Sequence, residues 1–349
     1  MRGVAWSPSD ITWDPTVMST LLSESEVTQL QARAGSILKG LDKVLLGQGH
    51  LTRLVLTGML AGGHVLLEGL PGLGKTELVK ALAALSGLDH KRIQFTPDLL
   101  PGDITGTLML QESAGGGRTM VFRHGPIFAQ VVLADEINRA SPKTQSALLQ
   151  AMQEHAVTVF DTTHKLPQPF FVLATQNPVE LDGTYPLPEA QLDRFAIKAT
   201  VTGIGTDALT TLLMERPDGR PTTPESVTTA PQVVELLAGV KRIALPQAVA
   251  AYIARLVNAT RPEHPDSPAS VKTAVKWGAS PRAAIALGTT ARAAALLAGR
   301  PAVGFDDVKA LAVPVIAHRL VLGYEAGLSG TTQTTVVTRL LDEVRELPA

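Results

Sequence analysis

The strongest constraint on this chain of 349 residues is one octapeptide, Gly69-Leu70-Pro71-Gly72-Leu73-Gly74-Lys75-Thr76, which fits G-x-x-x-x-G-K-[ST]. It follows the apolar run Val65-Leu66-Leu67 and precedes a helical pattern that begins near Lys75. The expected order is therefore strand, glycine-rich turn, helix. Glycines let backbone N–H groups close around an anion at a helix N-terminus, where the helix dipole also favours negative charge. In that setting Lys75 brings charge to β- and γ-phosphates, and the Thr76 hydroxyl can ligate Mg²⁺. Gly69, Leu70, Pro71, Gly72, Leu73, Gly74, Lys75, Thr76 and the adjoining Glu77 are the expected nucleotide-contacting residues.

Four further apolar runs read as strands: Ile93-Gln94-Phe95, Val131 to Ala134, Phe170 to Ala174 and Phe195 to Val201. Helical patterns separate most of them, the first led by a capping box of Ser23 and Glu26 and running to about Val44. Strands covered by helices on both faces should be nearly all apolar, so this alternation predicts an α/β fold with a parallel sheet. Residues 1–22, with Trp6 and Trp13 among Ser, Thr and Pro, read as a loosely held arm. Residues 203–240 read as a linker containing some helix, because Gly203, Gly205, Pro217, Gly219, Pro221, Pro224 and Pro231 interrupt any pattern. Beyond it the periodicity is helical: Val249, Tyr252, Ile253, Leu256 and Val257 follow Pro246, a second stretch runs from Pro281 to Leu297 before Gly299, and a third follows Phe305. The expected division is an arm at 1–22, a nucleotide-binding α/β core at 23–202, the linker at 203–240 and an all-helical domain at 241–349.

Composition narrows the function classes. With no Cys there is no disulfide framework, thiolate metal site or Cys nucleophile. No basic n-region precedes an apolar stretch at the start, and no run of about 18 apolar residues occurs, so a cytoplasmic protein without a membrane segment is expected. The formal net charge is -1, which argues against a chain that coats nucleic acid. Residues 241–349 carry 13 Lys+Arg against 8 Asp+Glu, a mild positive excess.

The remaining chemistry lies at strand ends. Val131 to Ala134 run into Asp135-Glu136, and a buried strand has no structural use for two adjacent acids there. A phosphate-handling enzyme needs one carboxylate for the Mg²⁺ shell and one to polarise water, so Asp135 is read as metal-associated and Glu136 as general base. That pairing favours hydrolysis over transfer. Phe170 to Ala174 continue into Thr175-Gln176-Asn177-Pro178, where the Asn177 amide could hold the attacking water. Arg194, just before the last strand, is either a helix cap or a functional cation. Arg282 follows Ser280, an N-cap, and Pro281, so its charge sits where the helix dipole disfavours it. A nearby anion would remove that conflict, and a γ-phosphate is the candidate.

The order of P-loop, Asp135-Glu136, Asn177, Arg194 and a lid arginine resembles an AAA+ ATPase. Three longer words resemble the MoxR family: Arg92-Ile93-Gln94-Phe95-Thr96-Pro97-Asp98-Leu99-Leu100-Pro101, Asp135-Glu136-Ile137-Asn138-Arg139-Ala140, and residues Gly183 to Phe195, GTYPLPEAQLDRF. The resemblance spans about Leu46 to Arg282. It implies a ring-forming ATPase, usually hexameric, that uses ATP with Mg²⁺ to remodel or mature client proteins, often metalloenzymes, beside a von Willebrand factor A-type partner. It further implies Lys75 and Thr76 as Walker A, Asp135 and Glu136 as Walker B, Asn177 as sensor 1, Arg194 as arginine finger and Arg282 as sensor 2. Leu46-Gly47-Gln48 matches the segment near adenine. Arg139 lies near the expected subunit boundary too, so the trans role stays open between it and Arg194.

Two insertions of that family are legible as hairpins. Leu108-Met109-Leu110 and Met120-Val121-Phe122 flank Ser113-Ala114-Gly115-Gly116-Gly117, and His155 to Leu166 surround Asp161-Thr162-Thr163. The first reads as a client-contact or pore element, or as packing on the ring. The competing readings are a DNA-remodelling ATPase, disfavoured by the near-neutral charge, an ATP-binding scaffold, disfavoured by intact Asp135, Glu136 and Asn177, and a small-molecule kinase, for which no acceptor-binding segment is visible.

Overall fold

The computed structural model describes residues 21–347 apart from 71, 113–117, 160, 179–183, 217–220 and 222. The proposed arm up to residue 20, Pro71, the Ser113 to Gly117 turn, Gly183, Pro217 and Gly219 thus lie outside the described residues.

Helix α1 (Glu24–Val44) opens on the expected capping box: Glu26 N–H donates to Ser23 Oγ (3.3 Å) and Ser23 N–H to the Glu26 carboxylate (2.8 Å). Next come α2 (Gly49–Leu60), β1 (Val65–Glu68), α3 (Lys75–Ser86), β2 (His90–Gln94) and the short α4 (Pro101–Thr105). Strands β3 (Gly106–Glu112) and β4 (Arg118–His124) pair antiparallel as the first hairpin. Then follow β5 (Val131–Asp135), α5 (Pro142–Glu154) and the second hairpin, β6 (Ala156–Val159) with β7 (Thr162–Lys165). Strand β8 (Phe171–Gln176), α6 (Glu189–Leu192) and β9 (Ile197–Thr200) complete the core.

The five-stranded sheet has the order β2-β5-β8-β1-β9 and every pairing is parallel. Because side chains alternate along a strand, each strand feeds both faces. Leu66, Val132, Ala134, Val172 and Ala174 pack on one face with Leu148, Leu149 and Met152 of α5. Val65, Leu67, Val131, Leu133 and Leu173 pack on the other with α1, α2 and α3. Each such Val or Leu contributes about 1.5–3 kcal/mol of burial. Strand β2 departs from the apolar expectation: His90, Lys91 and Arg92 are exposed, because it is an edge strand, and only Ile93 and the following Phe95 carried its apolar signal.

The segment expected as a linker carries α7 (Thr206–Glu215) and α8 (Ala230–Lys241), and the second belongs to the packed interior. Val233, Leu236 and Val240 are buried, and Gly239 lies so close to Leu30 of α1 that an added Cβ would meet it at 2.4 Å. The surrounding prolines concealed this amphipathic repeat. The C-terminal part comprises α9 (Gln247–Ala259), α10 (Ala269–Ala274), β10 (Val275–Trp277), α11 (Pro281–Leu297), α12 (Phe305–Ile316), β11 (Val321–Leu322), α13 (Tyr324–Leu328) and α14 (Gln333–Glu343). It is a helical lid that departs from the all-helical expectation in the antiparallel pair β10 and β11, whose strands are too short to show periodicity, and in a single bridge between Ala244 and Ala302. Ser280 caps α11 as read, accepting from the Arg282 N–H at 3.2 Å. Among the described residues no helix is long and apolar enough to cross a membrane.

His64 pins the N-terminal end of the sheet. Its Nδ1 accepts the Val172 N–H (3.1 Å), which makes Nε2 the donor to Met152 O (3.2 Å) and joins β1, β8 and the end of α5. Burial lowers its pKa from the ordinary 6.5 to about 4, and burial also holds His318 well below the ordinary imidazole value. The native state therefore refuses a proton that the unfolded chain accepts. Stability should be fullest above about pH 6.5 and fall as pH drops towards 4, with His64 alone accounting for about 3 kcal/mol. Urea unfolding should show about 2 kcal/mol of that loss between pH 7 and pH 5, the remainder falling below pH 5, and His64→Gln should be less stable at pH 7 yet less sensitive to pH.

Candidate functional site

In a parallel sheet the C-terminal strand ends converge, and here they gather the P-loop, Asp135-Glu136 and Asn177. Gly69 is required by close approach, since an added Cβ would stand 2.8 Å from Val201 O. Gly74 is the N-cap of α3 at φ +79, with no side chain to cap the first turn, so the amides of that turn face outward for an anion. Lys75 Nζ is buried and donates to Gly69 O (2.7 Å). Burial lowers its pKa, and the nearby Asp135 and Glu136 charges oppose that shift. Thr76 occupies the same first turn, half-buried. Leu70 turns its side chain outward, Gly72 has open space around it, and Gln48 Nε2 reaches Leu73 O at 3.4 Å. Glu77, expected among the nucleotide contacts, pairs with Lys80 (2.9 Å), three residues on along α3.

The acidic pair sits in a web that the sequence did not disclose. Asp135 Oδ1 accepts from Thr175 Oγ1 (2.6 Å), and Oδ2 accepts from Arg92 Nη2 (2.7 Å) and Nε (3.2 Å). Glu136 has left-handed backbone, φ 56 and ψ 50, a conformation that costs a non-glycine residue about 1–3 kcal/mol. Its N–H is held by Thr175 Oγ1 (2.8 Å), and its carboxylate accepts from Gln94 Nε2 and Arg139 Nη1, both at 3.1 Å. Arg139, the second candidate for a trans role, thus faces its own chain's acid. Asn138 fixes the end of β8: its Nδ2 donates to Asn177 O (3.0 Å) and its Oδ1 accepts the Asn177 N–H (3.3 Å). Arg92, Gln94, Thr175 and Asn138 were missed because each acts through strand register or a loop contact. The juxtaposition of Arg92 and Asp135 needs β2 beside β5, which no local pattern encodes.

These residues fit a nucleotide with Mg²⁺. The uncapped first turn of α3 and the buried Lys75 supply donors for phosphate oxygens, while Thr76 and Asp135 are oxygen ligands of the kind Mg²⁺ takes. No cluster of three or more His, Cys, Asp or Glu that could cage a metal occurs among the described residues. That donor set suits a cation carried by phosphates rather than one held by the protein alone. Beside Gln48, a cavity of about 670 Å³ opens between core and lid, lined also by Gly47, Glu68, Lys198, Pro314 and Leu322.

Arg194 and Arg282 are elsewhere. Both line a groove of about 370 Å³ with Gly62, Gly63 and Ile285, at the N-terminal end of β1. Gly63 and Gly69 flank β1, so at about 3.3 Å per residue the groove and the P-loop of one chain lie roughly 20 Å apart. Within its own chain the anion beside Arg282 is Asp193 (3.9 Å). Among the described residues the buried Arg194 Nε has no hydrogen-bond partner.

The hairpins are also joined. Phe122 stacks on His164 of β7 with centroids 4.1 Å apart, and His124 stacks on Phe128 at 4.2 Å. Phe122 is therefore engaged in packing between the two hairpins. Leu110 and Met120, opposite each other in the register, are exposed, as are Met109 and Val121.

Comparison with known proteins agrees with this architecture. Residues 64–197 match the model for the ATPase family associated with various cellular activities (AAA), and residues 268–340 match the AAA lid domain. The chain is 44% identical to YeaC of Bacillus subtilis over 89% of its own length and 94% of that protein. It is 40% identical to the chaperone MoxR1 of Mycobacterium tuberculosis, covering 86% of this chain and 79% of that one. A solved crystal structure from Cytophaga hutchinsonii, 37% identical, superposes with a TM-score of 0.85 over 93% of this chain and 98% of the other. Parallel sheet, P-loop, acidic strand end and helical lid occur here in one chain with such relatives, and the chain belongs to the MoxR family of AAA+ ATPases.

Proposed function

We propose that the chain hydrolyses ATP to ADP and phosphate at a site completed by a neighbouring copy, and that turnover remodels or matures a client protein. The observation that carries this is sidedness. The P-loop and acidic pair occupy one end of the sheet, while Arg194 and Arg282 occupy the other, where they cannot serve the same nucleotide. In a ring, each chain would offer its arginine end to the next chain's phosphate end. Hexameric stoichiometry follows from family likeness alone.

Within one site, backbone amides at the start of α3 and Lys75 would hold the phosphates, and Thr76 with Asp135 would hold Mg²⁺, which neutralises charge on the phosphate oxygens. Glu136 would take the proton from the water that attacks the γ-phosphorus, with Asn177 orienting that water. As the new P–O bond forms, the bond to the β-phosphate oxygen breaks and ADP leaves. Arg194 and Arg282 of a neighbour would stabilise the charge on the transferred group. For that, Arg92 must share or release Asp135, since it holds the carboxylate oxygen that Thr175 leaves.

The chaperone name of the mycobacterial relative supports a protein client. A von Willebrand factor A-type partner and a metalloenzyme client are the further proposals. Leu110 and Met120 are the proposed client-facing residues, since they are exposed while Phe122 is engaged.

Lys75→Ala should abolish nucleotide binding, whereas Glu136→Gln should bind normally and turn over about 10²- to 10⁴-fold more slowly, the usual contribution of a general base. Nucleotide titration and phosphate release separate the two, and parental turnover by Glu136→Gln rejects the assigned base. Arg194→Ala should lose on the order of 10³ to 10⁵ in rate. Mixing it with Lys75→Ala should recover part of that loss, because each chain supplies what the other lacks. The paired change Leu110→Ser and Met120→Ser should reduce client-stimulated turnover far more than basal turnover; equal loss of both makes the hairpin an assembly element.

A further inference from the structure

The lid grips the segment that carries Arg194 on both sides of that residue. Arg319, in the turn at 317–319 after α12, is buried, and its Nε donates to Asp193 Oδ1 at 2.7 Å. Its Nη2 donates to Phe195 O (2.7 Å) and Asp193 O (3.3 Å), and its Nη1 to Ala196 O (3.4 Å) and to Val315 O of α12. His318 Nε2 lies 3.1 Å from Phe195 O. On the other carboxylate oxygen, Ser280 Oγ, the cap of α11, donates to Asp193 Oδ2 at 3.0 Å, beside Arg282. Both oxygens of Asp193 and the carbonyls of 193, 195 and 196 are thus held from the lid.

A buried guanidinium is costly unless its charge and donors are met, and this one is met by the Asp193 carboxylate and by carbonyls on both sides of Arg194. Only a planar fork reaches a carboxylate and several carbonyls together. The lid already packs on the core through α11 against α1, α2 and α8, so general adhesion does not require a buried charge at this point. What the charge adds is a fixed backbone on either side of Arg194. That side chain lies in the groove it shares with Arg282, next to Asp193 and Arg319.

We propose that Arg319 and Asp193 are positioning residues that lock the Arg194 segment to the lid, so that lid and arginine move as one body relative to a neighbour's nucleotide. This rests on the reading that Arg194 acts in trans. The clamp makes any rotation of the lid a displacement of Arg194, and it holds Arg282 in register with it through the shared carboxylate.

The test uses full-length chains carrying Asp193→Asn or Arg319→Lys. The first keeps an acceptor but removes the charge; the second keeps a buried cation but cannot fork over the same oxygens. Each should bind ATP at parental affinity, since neither touches the P-loop. Alone, each should turn over on the order of 10²-fold more slowly, the loss typical of a reacting group misplaced by about 1 Å. In assemblies co-purified through a tag on one subunit type, each should recover turnover with Lys75→Ala, which contributes an intact arginine end, and none with Arg194→Ala, which does not. A subunit that is merely misfolded would recover with neither. Parental turnover by both variants overturns the clamp, as does recovery with Arg194→Ala, failure of both variants to co-assemble, or failure with Lys75→Ala when Arg194→Ala succeeds. If Arg194→Ala itself is not rescued by Lys75→Ala, the trans reading has failed and the clamp falls with it.

Discussion

Everything in this molecule depends on the direction of its sheet. When all five strands run parallel, every strand delivers its last residue to one end and receives its first at the other. The chemistry divides accordingly. Gly69 after β1, Asp135 at the end of β5 and Asn177 after β8 are neighbours although the sequence separates them widely, because register places Leu66 and Leu67 beside Ala174 and Thr175, and Ala134 beside Ala174. The same parallelism sends Arg194, which precedes β9, and His64, which precedes β1, to the opposite end.

This division explains why the proposed arginines are found away from their own phosphates. A strand of four residues, Val65–Glu68, is enough to separate the two sets by a distance that no side chain spans. On the proposed reading, a chain built this way has half a site at each end. The lid reinforces the separation, since its α11 meets the core beside Gly62, Gly63 and Arg194 and not beside the P-loop. Asp193 is where the two bodies are tied, and the ties are to backbone carbonyls as well as to its carboxylate.

Much of the site was legible because its signals are local. The P-loop is contiguous, Asp135 and Glu136 announce themselves as acids after a wholly apolar strand, and Ser280-Pro281 marks a helix start. The partners of those residues were not legible. Nothing local marks Arg92 and Gln94, which flank Ile93 on the edge strand, yet they hold Asp135 at the end of β5 and Glu136 just after it. Thr175 reads as an ordinary strand residue until its hydroxyl is found between the Asp135 carboxylate and the Glu136 N–H. Arg319 is 126 residues from Asp193, and nothing in its helical neighbourhood distinguishes it from a solvated basic residue. The stack of Phe122 on His164 was not legible either, because a two-stranded pattern says nothing about a second hairpin packed against it.

The acidic end shows what such distant partners contribute. Glu136 is held in left-handed backbone, which is unfavourable for a side chain with a Cβ, and it stays there because Thr175 Oγ1 accepts its N–H and then donates to Asp135. One hydroxyl therefore fixes both acids at once, and it can do so only because a hydroxyl is donor and acceptor together. Valine in its place would fill much the same space while leaving the Glu136 N–H and an Asp135 oxygen without that partner. The strained turn then aims the Glu136 carboxylate at Gln94 and Arg139. Whatever draws Glu136 away from them must offer it something better, and a water polarised against a phosphate is the proposed competitor. In this arrangement the proposed base is held by its own chain, through Gln94 and Arg139, and its backbone by Thr175.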